Sequence, residues 1–155
     1  RIPLKETFDF AESPIFENGS AFLVREKNGS LVTISQSGKT SRKALGSSSE
    51  IQYDRLNSTE ALLLPEQLTI NQKAIPVDLG LYTGLKVIKA KNSYYVAVTD
   101  LQNNKSYLYT SKGTLLSNFP VYGASELDFG TLHNSKDLGL TVKGESDSVL
   151  IYQIN

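Results

Sequence analysis

The chain contains no cysteine, no methionine, no tryptophan and a single histidine among its 155 residues. Without cysteine there are no disulfides, thiolate nucleophiles, Cys-ligated zinc sites or iron–sulfur clusters. The lone imidazole, His133, excludes any site that needs two. No apolar run approaches the ~18–20 residues that cross a bilayer as a helix; the aliphatic run Ala61-Leu62-Leu63-Leu64 ends at Pro65. Neither sign of charge is in excess. Sixteen Lys and Arg balance sixteen Asp and Glu, and the sequence pI is about 6.8. Nothing in that balance draws the chain to nucleic acid or to an anionic membrane. The missing methionine, with Arg1 first, predicts a processed chain or a piece of a longer protein. The missing cysteine fits an extracytoplasmic setting, periplasm or cell surface.

Serine, threonine and asparagine make up about a quarter of the chain, a composition of turns and exposed strand faces. Short strands rich in β-branched and aromatic residues fill the spaces between turn signals. Ala21–Lys27 runs through Asn28-Gly29 into Ser30–Ser35, and Gln36-Ser37-Gly38 leads on to Lys39–Leu45. The Asn-Gly pair predicts a hairpin, because a type I′ turn needs positive φ at both central positions. Tyr94–Thr99, Ser106–Thr110 and Thr114–Leu116 repeat the plan, the last two joined by Lys112-Gly113. Ser58–Gln67 resembles a short helix with a cap, but Pro65 would stop it within two turns, and the spacing below predicts a strand there instead.

Four segments share a polar–apolar–x–apolar shape: Ser30–Ser35, Gln67–Asn71, Ser106–Thr110 and Ser148–Tyr152. Their first apolar residues fall at 31, 68, 107 and 149, at intervals of 37, 39 and 42. Each follows a strand (Ala21–Lys27, Glu60–Leu64, Tyr94–Thr99, Leu138–Lys143). One strand earlier again lie Ser13–Phe16, Glu50–Leu56, Leu85–Lys91 and Glu126–Leu132. A period of about 40 residues with four strands per unit is a propeller-blade signature. The reading is therefore all-β: a small, about four-bladed, or partial β-propeller of four-stranded antiparallel meanders, with a β-sandwich as the alternative. One propeller-like domain is expected over residues 1–155, with blades near 8–45, 50–80, 85–122 and 126–155. Arg1-Ile2-Pro3-Leu4-Lys5 matches the outer-strand segment Ala74-Ile75-Pro76-Val77-Asp78, so residues 1–6 are expected as a closing strand that removes an exposed edge. Pro3, Pro76 and Pro120 suit outermost strands, where a missing N–H is tolerated.

The stretch Lys105–Val121, a hydrophobic strand followed by Lys112-Gly113, Leu115-Leu116 and Phe119-Pro120, resembles a blade of the quinoprotein-like, WD-repeat-like bacterial β-propellers. The resemblance implies the fold. It implies no cofactor, since the Trp, Cys and metal-ligand residues of quinone-dependent dehydrogenases are absent.

Candidate chemistry is sparse. Glu126 and Asp128, at i and i+2 on an expected inner strand, form the best carboxylate pair for ligand binding or glycoside chemistry, although a solvated channel wall explains them more simply. Glu50 and Asp54 are a weaker version in the second unit. Tyr107 and Tyr109 share one face opposite Leu108, either as a stacking platform for a sugar or as packing between blades. His133 reads as a turn residue without a nucleophile motif. Asp100–Lys105 and Gly144–Ser148 read as hairpin turns rather than calcium loops, so no metal is expected. Lys86, Lys89 and Lys91 read as an exposed face. The function expected from this is a non-enzymatic protein-interaction or scaffold module, the C-terminal part of a larger bacterial cell-envelope protein. It has a protein partner and no nucleic acid, cofactor or transmembrane segment. The alternative is a carbohydrate- or small-ligand-binding propeller, or a glycan-active enzyme, using Glu126, Asp128, Tyr107 and Tyr109.

Overall fold

The computed structural model describes residues 8–12, 15–16, 19–26, 29–45, 51–131 and 138–154. Among them are sixteen strands and no helix, so no helix is long and apolar enough to cross a membrane. His133, Glu50 and the expected closing strand 1–6 lie outside the described residues. The chain divides into two compact units, residues 1–51 with 56–58, and residues 52–55 with 59–155.

In the first unit, β1 (Phe8–Glu12), β3 (Gly19–Glu26), β4 (Ser30–Ser35) and β5 (Thr40–Ala44) pair in that order, and β2 (Ile15–Phe16) pairs with the start of β3. Of the expected first strand, Ser13–Phe16, the described residues are β2, which pairs with β3 over two residues only. Phe8–Glu12 makes the long ladder with β3, with a register shift between Phe8 and Phe10, and Ile15–Phe16 contributes two residues. The turns follow the sequence signals. Gly29 takes φ 80 and its N–H returns to the Glu26 carbonyl at 2.9 Å; Gly38 takes φ 79 and donates to the Ser35 carbonyl at 2.9 Å. Val24, Leu31 and Val32 are buried, as is Glu26, whose Oε1 accepts from Arg42 Nη2 at 3.3 Å.

The second unit holds three sheets. β6 (Gln52–Leu56), β7 (Thr59–Leu64), β8 (Gln67–Ile70) and β9 (Lys73–Pro76) form one. β10 (Tyr82–Ala90), β11 (Ser93–Asp100), β12 (Lys105–Thr110) and β13 (Val121–Tyr122) form the second. β14 (Asp128–Thr131), β15 (Leu138–Lys143) and β16 (Val149–Ile154) form a three-stranded third. The Ser58–Gln67 segment is a strand, β7, as its place in the repeat predicts. Thr114–Leu116 is not a full fourth strand. Only Leu115 bridges Tyr109, Phe119 N–H then closes a turn on the Leu116 carbonyl at 3.0 Å, and β13 resumes the edge opposite Lys105 and Ser106. Pro120 has no N–H to extend that ladder.

β11 is buried from Val96 through Asp100, as a strand covered on both faces must be. On one face Ile88, Ala97 and Leu108 cluster with Leu140 and Val142 of the third sheet and with Leu127 just before it. The opposite face carries Val87, Val96, Val98 and Tyr109, all buried, and β10 meets β7, where Ala61, Leu63, Leu68 and Ile70 are buried. Equivalent turns of the first two sheets touch at the repeat spacing. Asn71 Nδ2 donates to the Ser111 carbonyl at 3.0 Å and Lys73 Nζ to the Lys112 carbonyl at 3.3 Å. The β8–β9 turn itself is strained, because Asn71 and Gln72 both take positive φ, 46 and 69. Asn tolerates this region; Gln does not. Gln72→Gly is expected to raise the stability of the unit by about 0.5–1 kcal/mol, read as a higher urea midpoint at unchanged slope.

Candidate functional site

The inner strands of the second unit are joined to one another by side chains. Along β10 the register slips between Thr83 and Lys86, a bulge in which Gly84 takes φ 66. The bulge frees a carbonyl and an N–H from the ladder, and the amide of Gln52 on β6 takes both: Nε2 donates to the Tyr82 carbonyl at 2.8 Å, and Oε1 accepts from Leu85 N–H at 3.1 Å. Asp54, on the same strand, accepts from Val87 N–H at 2.6 Å and from its neighbour Arg55 N–H at 2.7 Å. On the other side, Thr83 Oγ1 donates to Glu126 Oε1 at 2.8 Å, and a Cβ on Gly84 would lie 2.8 Å from Glu126 Cγ.

These contacts revise the carboxylate pair. Glu126 precedes β14, against an expected strand start at that residue, and its carboxylate is engaged by Thr83. Asp128 opens β14 and is exposed, with Oδ1 accepting from Phe129 N–H at 3.0 Å. Asp54 is half-buried between sheets, and burial raises its pKa against the opposing pull of its backbone hydrogen bonds and Lys86. With the folded pKa above the ordinary 3.8, the folded state holds its proton longer than the unfolded chain does, so this group's contribution to stability falls as pH rises through that window. Asp54→Asn keeps an oxygen for Val87 N–H and removes the charge. The stability of the parent relative to this variant is expected to decline as pH rises above the ordinary 3.8. Urea unfolding at a series of pH values checks it.

The tyrosines sit elsewhere on the second sheet. The register pairs Tyr82 with Asp100, Tyr107 with Val98 and Tyr109 with Val96, so the three rings follow one another along one face. Tyr107 stacks on Tyr109 with centroids 6.3 Å apart and planes 8° apart, and meets Tyr82 at 6.3 Å and 48°. Tyr109 is buried, and its phenol is pushed up to about 12 by burial, then by Tyr107 and Asp78. Tyr82 and Tyr107 are raised for the same first reason, with Asp100 and Asp78 among the charges that add to it. The rings pack on one another, and Tyr82 and Tyr107 are half-buried at the rim.

The segment between β9 and β10 borders that rim, and the sequence reading passed over it. Leu79 is 76% exposed and Leu81 62% exposed, yet the Leu81 backbone is hydrogen-bonded through both its N–H and its carbonyl. Asp100, 1% exposed, accepts from Leu81 N–H at 3.1 Å through Oδ1. Gly80 lies against the same carboxylate, where a Cβ would come within 2.6 Å of Oδ2, and Leu101 N–H donates to the Leu81 carbonyl at 2.8 Å. Asp100 also accepts from Gln102 N–H at 3.0 Å, Asn103 N–H at 3.3 Å and Asn103 Nδ2 at 2.6 Å. The 100–105 loop is thus a turn capped by its own first residue, as its composition predicts, and the same carboxylate pins a neighbouring loop. Lys86 and Lys89 lie over the rings of Phe129 and Tyr94, at 5.6 and 5.7 Å from the centroids.

Antiparallel four-stranded meanders at intervals near forty residues, with sheets packed face on face in the second unit, define a β-propeller-type chain. Among solved structures the chain is similar to BBS1N in a crystal structure of BBS1N in complex with ARL6DN, soaked with mercury. The TM-score is 0.64 and the identity 15%, over 97% of this chain and 52% of that one. The chain therefore spans about half the length of that structure, and the likeness is one of fold. No family model and no curated protein matches the chain, so the likeness shown is to a β-propeller fold and not to quinoprotein-like or WD-repeat families.

Proposed function

We propose that this chain is a non-enzymatic protein-interaction module that docks its partner on the 77–82 segment and Tyr107. One observation carries the reading: two large leucines stand in solvent on either side of Gly80, and the backbone of the second is hydrogen-bonded to a buried carboxylate. A flexible loop tip with exposed leucines would be unremarkable; a pinned one loses little entropy on binding. The partner it fits presents aliphatic side chains to Leu79 and Leu81 and a Lys or Arg to exposed Asp78. Support also comes from the fold neighbour, which is itself described in complex with another chain, ARL6DN. The wider setting, a bacterial cell-envelope protein outside the cytoplasm, rests on the sequence alone. The carbohydrate and paired-carboxylate reading has less support, since Thr83 engages Glu126 and Tyr109 is buried under Tyr107.

A photo-crosslinking residue at position 79, with the exposed turn position 145 as control, tests the proposal in the source cell. A discrete protein adduct at 79 and none at 145 is the expected result. Leu79→Asp with Leu81→Asp should then weaken the purified partner's affinity by tenfold or more, roughly the loss of two buried apolar contacts. Equal labelling at both positions, or affinity untouched by the double substitution, overturns it.

A further inference from the structure

We propose that the partner segment docking at this surface is a proline-rich stretch in the polyproline II conformation with one arginine, read by Tyr82, Tyr107 and Asp78. The inference rests on the interaction reading above and names the chemistry of its partner. Tyr82 and Tyr107 come from different strands, β10 and β12, with ring centroids 6.3 Å apart and planes inclined by 48°. Rings so inclined leave a wedge between them. Tyr107 is backed by Tyr109, a buried ring within 8° of parallel, so that side of the wedge is a firm wall. Exposed Leu81 directly precedes Tyr82, and exposed Asp78 lies four positions before it. Burial raises all three phenols first, and Asp78 acts on each of them, so its charge lies within electrostatic reach of the whole row.

The arrangement separates three ways of binding a peptide. Strand addition needs a sheet edge, and these rings lie on a face. A helix brings backbone carbonyls already bonded to its own N–H groups, which leaves phenol hydroxyls to lose water without an acceptor. A polyproline II segment has no internal hydrogen bonds, so its carbonyls are open to the Tyr82 and Tyr107 hydroxyls, and its rigid apolar rings fit between aromatic walls. It is also preformed, so a small surface suffices to hold it. The charge comes last. Apart from the phenols themselves, the charged groups acting on this row are carboxylates, Asp78 and Asp100, and Asp100 is buried and bonded to its own loop. Asp78 therefore selects the cation. A guanidinium can stack on a phenol and donate to a carboxylate with two N–H groups at once, which an ammonium cannot.

The probe is acetyl-Pro-Pro-Leu-Pro-Pro-Arg-amide, titrated into the isotopically labelled full chain. A second peptide has alanine at all four prolines, and a third has lysine in place of arginine. Expected are amide shifts confined to residues 77–82 and 105–109, with the alanine peptide bound about tenfold more weakly and the lysine peptide about fivefold. Tyr107→Phe keeps the ring and should cost about threefold through the lost hydroxyl; Asp78→Asn should erase the preference for arginine over lysine. Equal binding of the alanine and proline peptides, or shifts centred on other residues, overturns the proposal. So does the absence of any shift at 77–82. If position 79 still crosslinks to a discrete protein in that last case, this inference fails and the interaction reading stands; if the crosslink is lost as well, both fall.

Discussion

Asp100→Ala is expected to destabilise the second unit by about 3–5 kcal/mol. The carboxylate it removes is 1% exposed and accepts four hydrogen bonds, from Leu81, Gln102 and both donors of Asn103. Alanine leaves all four donors without an acceptor. Gln102 and Asn103 are exposed and regain water, whereas the Leu81 N–H bond is part-buried. That difference keeps the loss below the sum of four desolvation penalties. Asp100→Asn retains one acceptor oxygen and is expected to cost about half as much. Gly80→Ala drives a methyl into the same carboxylate, so the Gly80→Ala, Asp100→Ala double variant should lose less than the two singles added together. Urea unfolding of the four proteins measures this. Additive losses would show that the carboxylate does not connect the two loops. Because Asp100 also fixes Leu81, the alanine variant should release the 77–82 amides to fast hydrogen exchange before the rest of the unit.

Leu140→Ala is the second large effect, about 3–4 kcal/mol, the range for a buried leucine whose space cannot collapse. Leu140 is fully buried at the centre of the cluster formed by Ile88, Ala97, Leu108, Leu127 and Val142. Its cross-strand partners Phe129 and Tyr152 pack on the same cluster, and Tyr152 Oη donates to the Tyr122 carbonyl at 3.1 Å. Relaxation into the void is opposed where Gly123 already approaches the Ser106 hydroxyl and a Val142 methyl. The third sheet is held to the second mainly through these side chains. In the variant, exchange at β14–β16 should therefore rise more than at β11, which keeps its other buried face. A uniform rise in exchange would show instead that the whole unit opens as one.

The meanders were legible in the sequence because their causes are local. Alternation in Ser106-Tyr107-Leu108-Tyr109-Thr110 sends Leu108 into the core and the tyrosines to the opposite face, and Gly29, Gly38 and Gly113 take the positive φ their turns require. The recurrence of that pattern was enough to expect propeller architecture. The candidate site was not legible, and for a physical reason. Asp100 reads as an ordinary turn residue until a segment 19 positions upstream is seen to donate to it. Nothing in the residue types of Leu79 and Leu81 tells an exposed leucine from a buried one; only their exposure of 76% and 62% does. Glu126 looked like half of a carboxylate pair because sequence spacing carries no information about Thr83, 43 residues away. The tandem Ser and Asp at 146 and 147, both with positive φ, show the same limit on a smaller scale. Nothing in their types announces a left-handed turn as Asn-Gly does.

The three ladders of the second unit join strands that follow one another along the chain, and the sheets meet through side chains such as Gln52, Asp54 and Thr83. Assembly of each sheet therefore needs only short loops to close, and the slow, long-range search is confined to docking finished sheets on one another. Nearest-neighbour docking of this kind makes the cohesion of the unit nearly one-dimensional, as in a repeat array. A lesion in one sheet is felt by the sheet beside it and fades beyond.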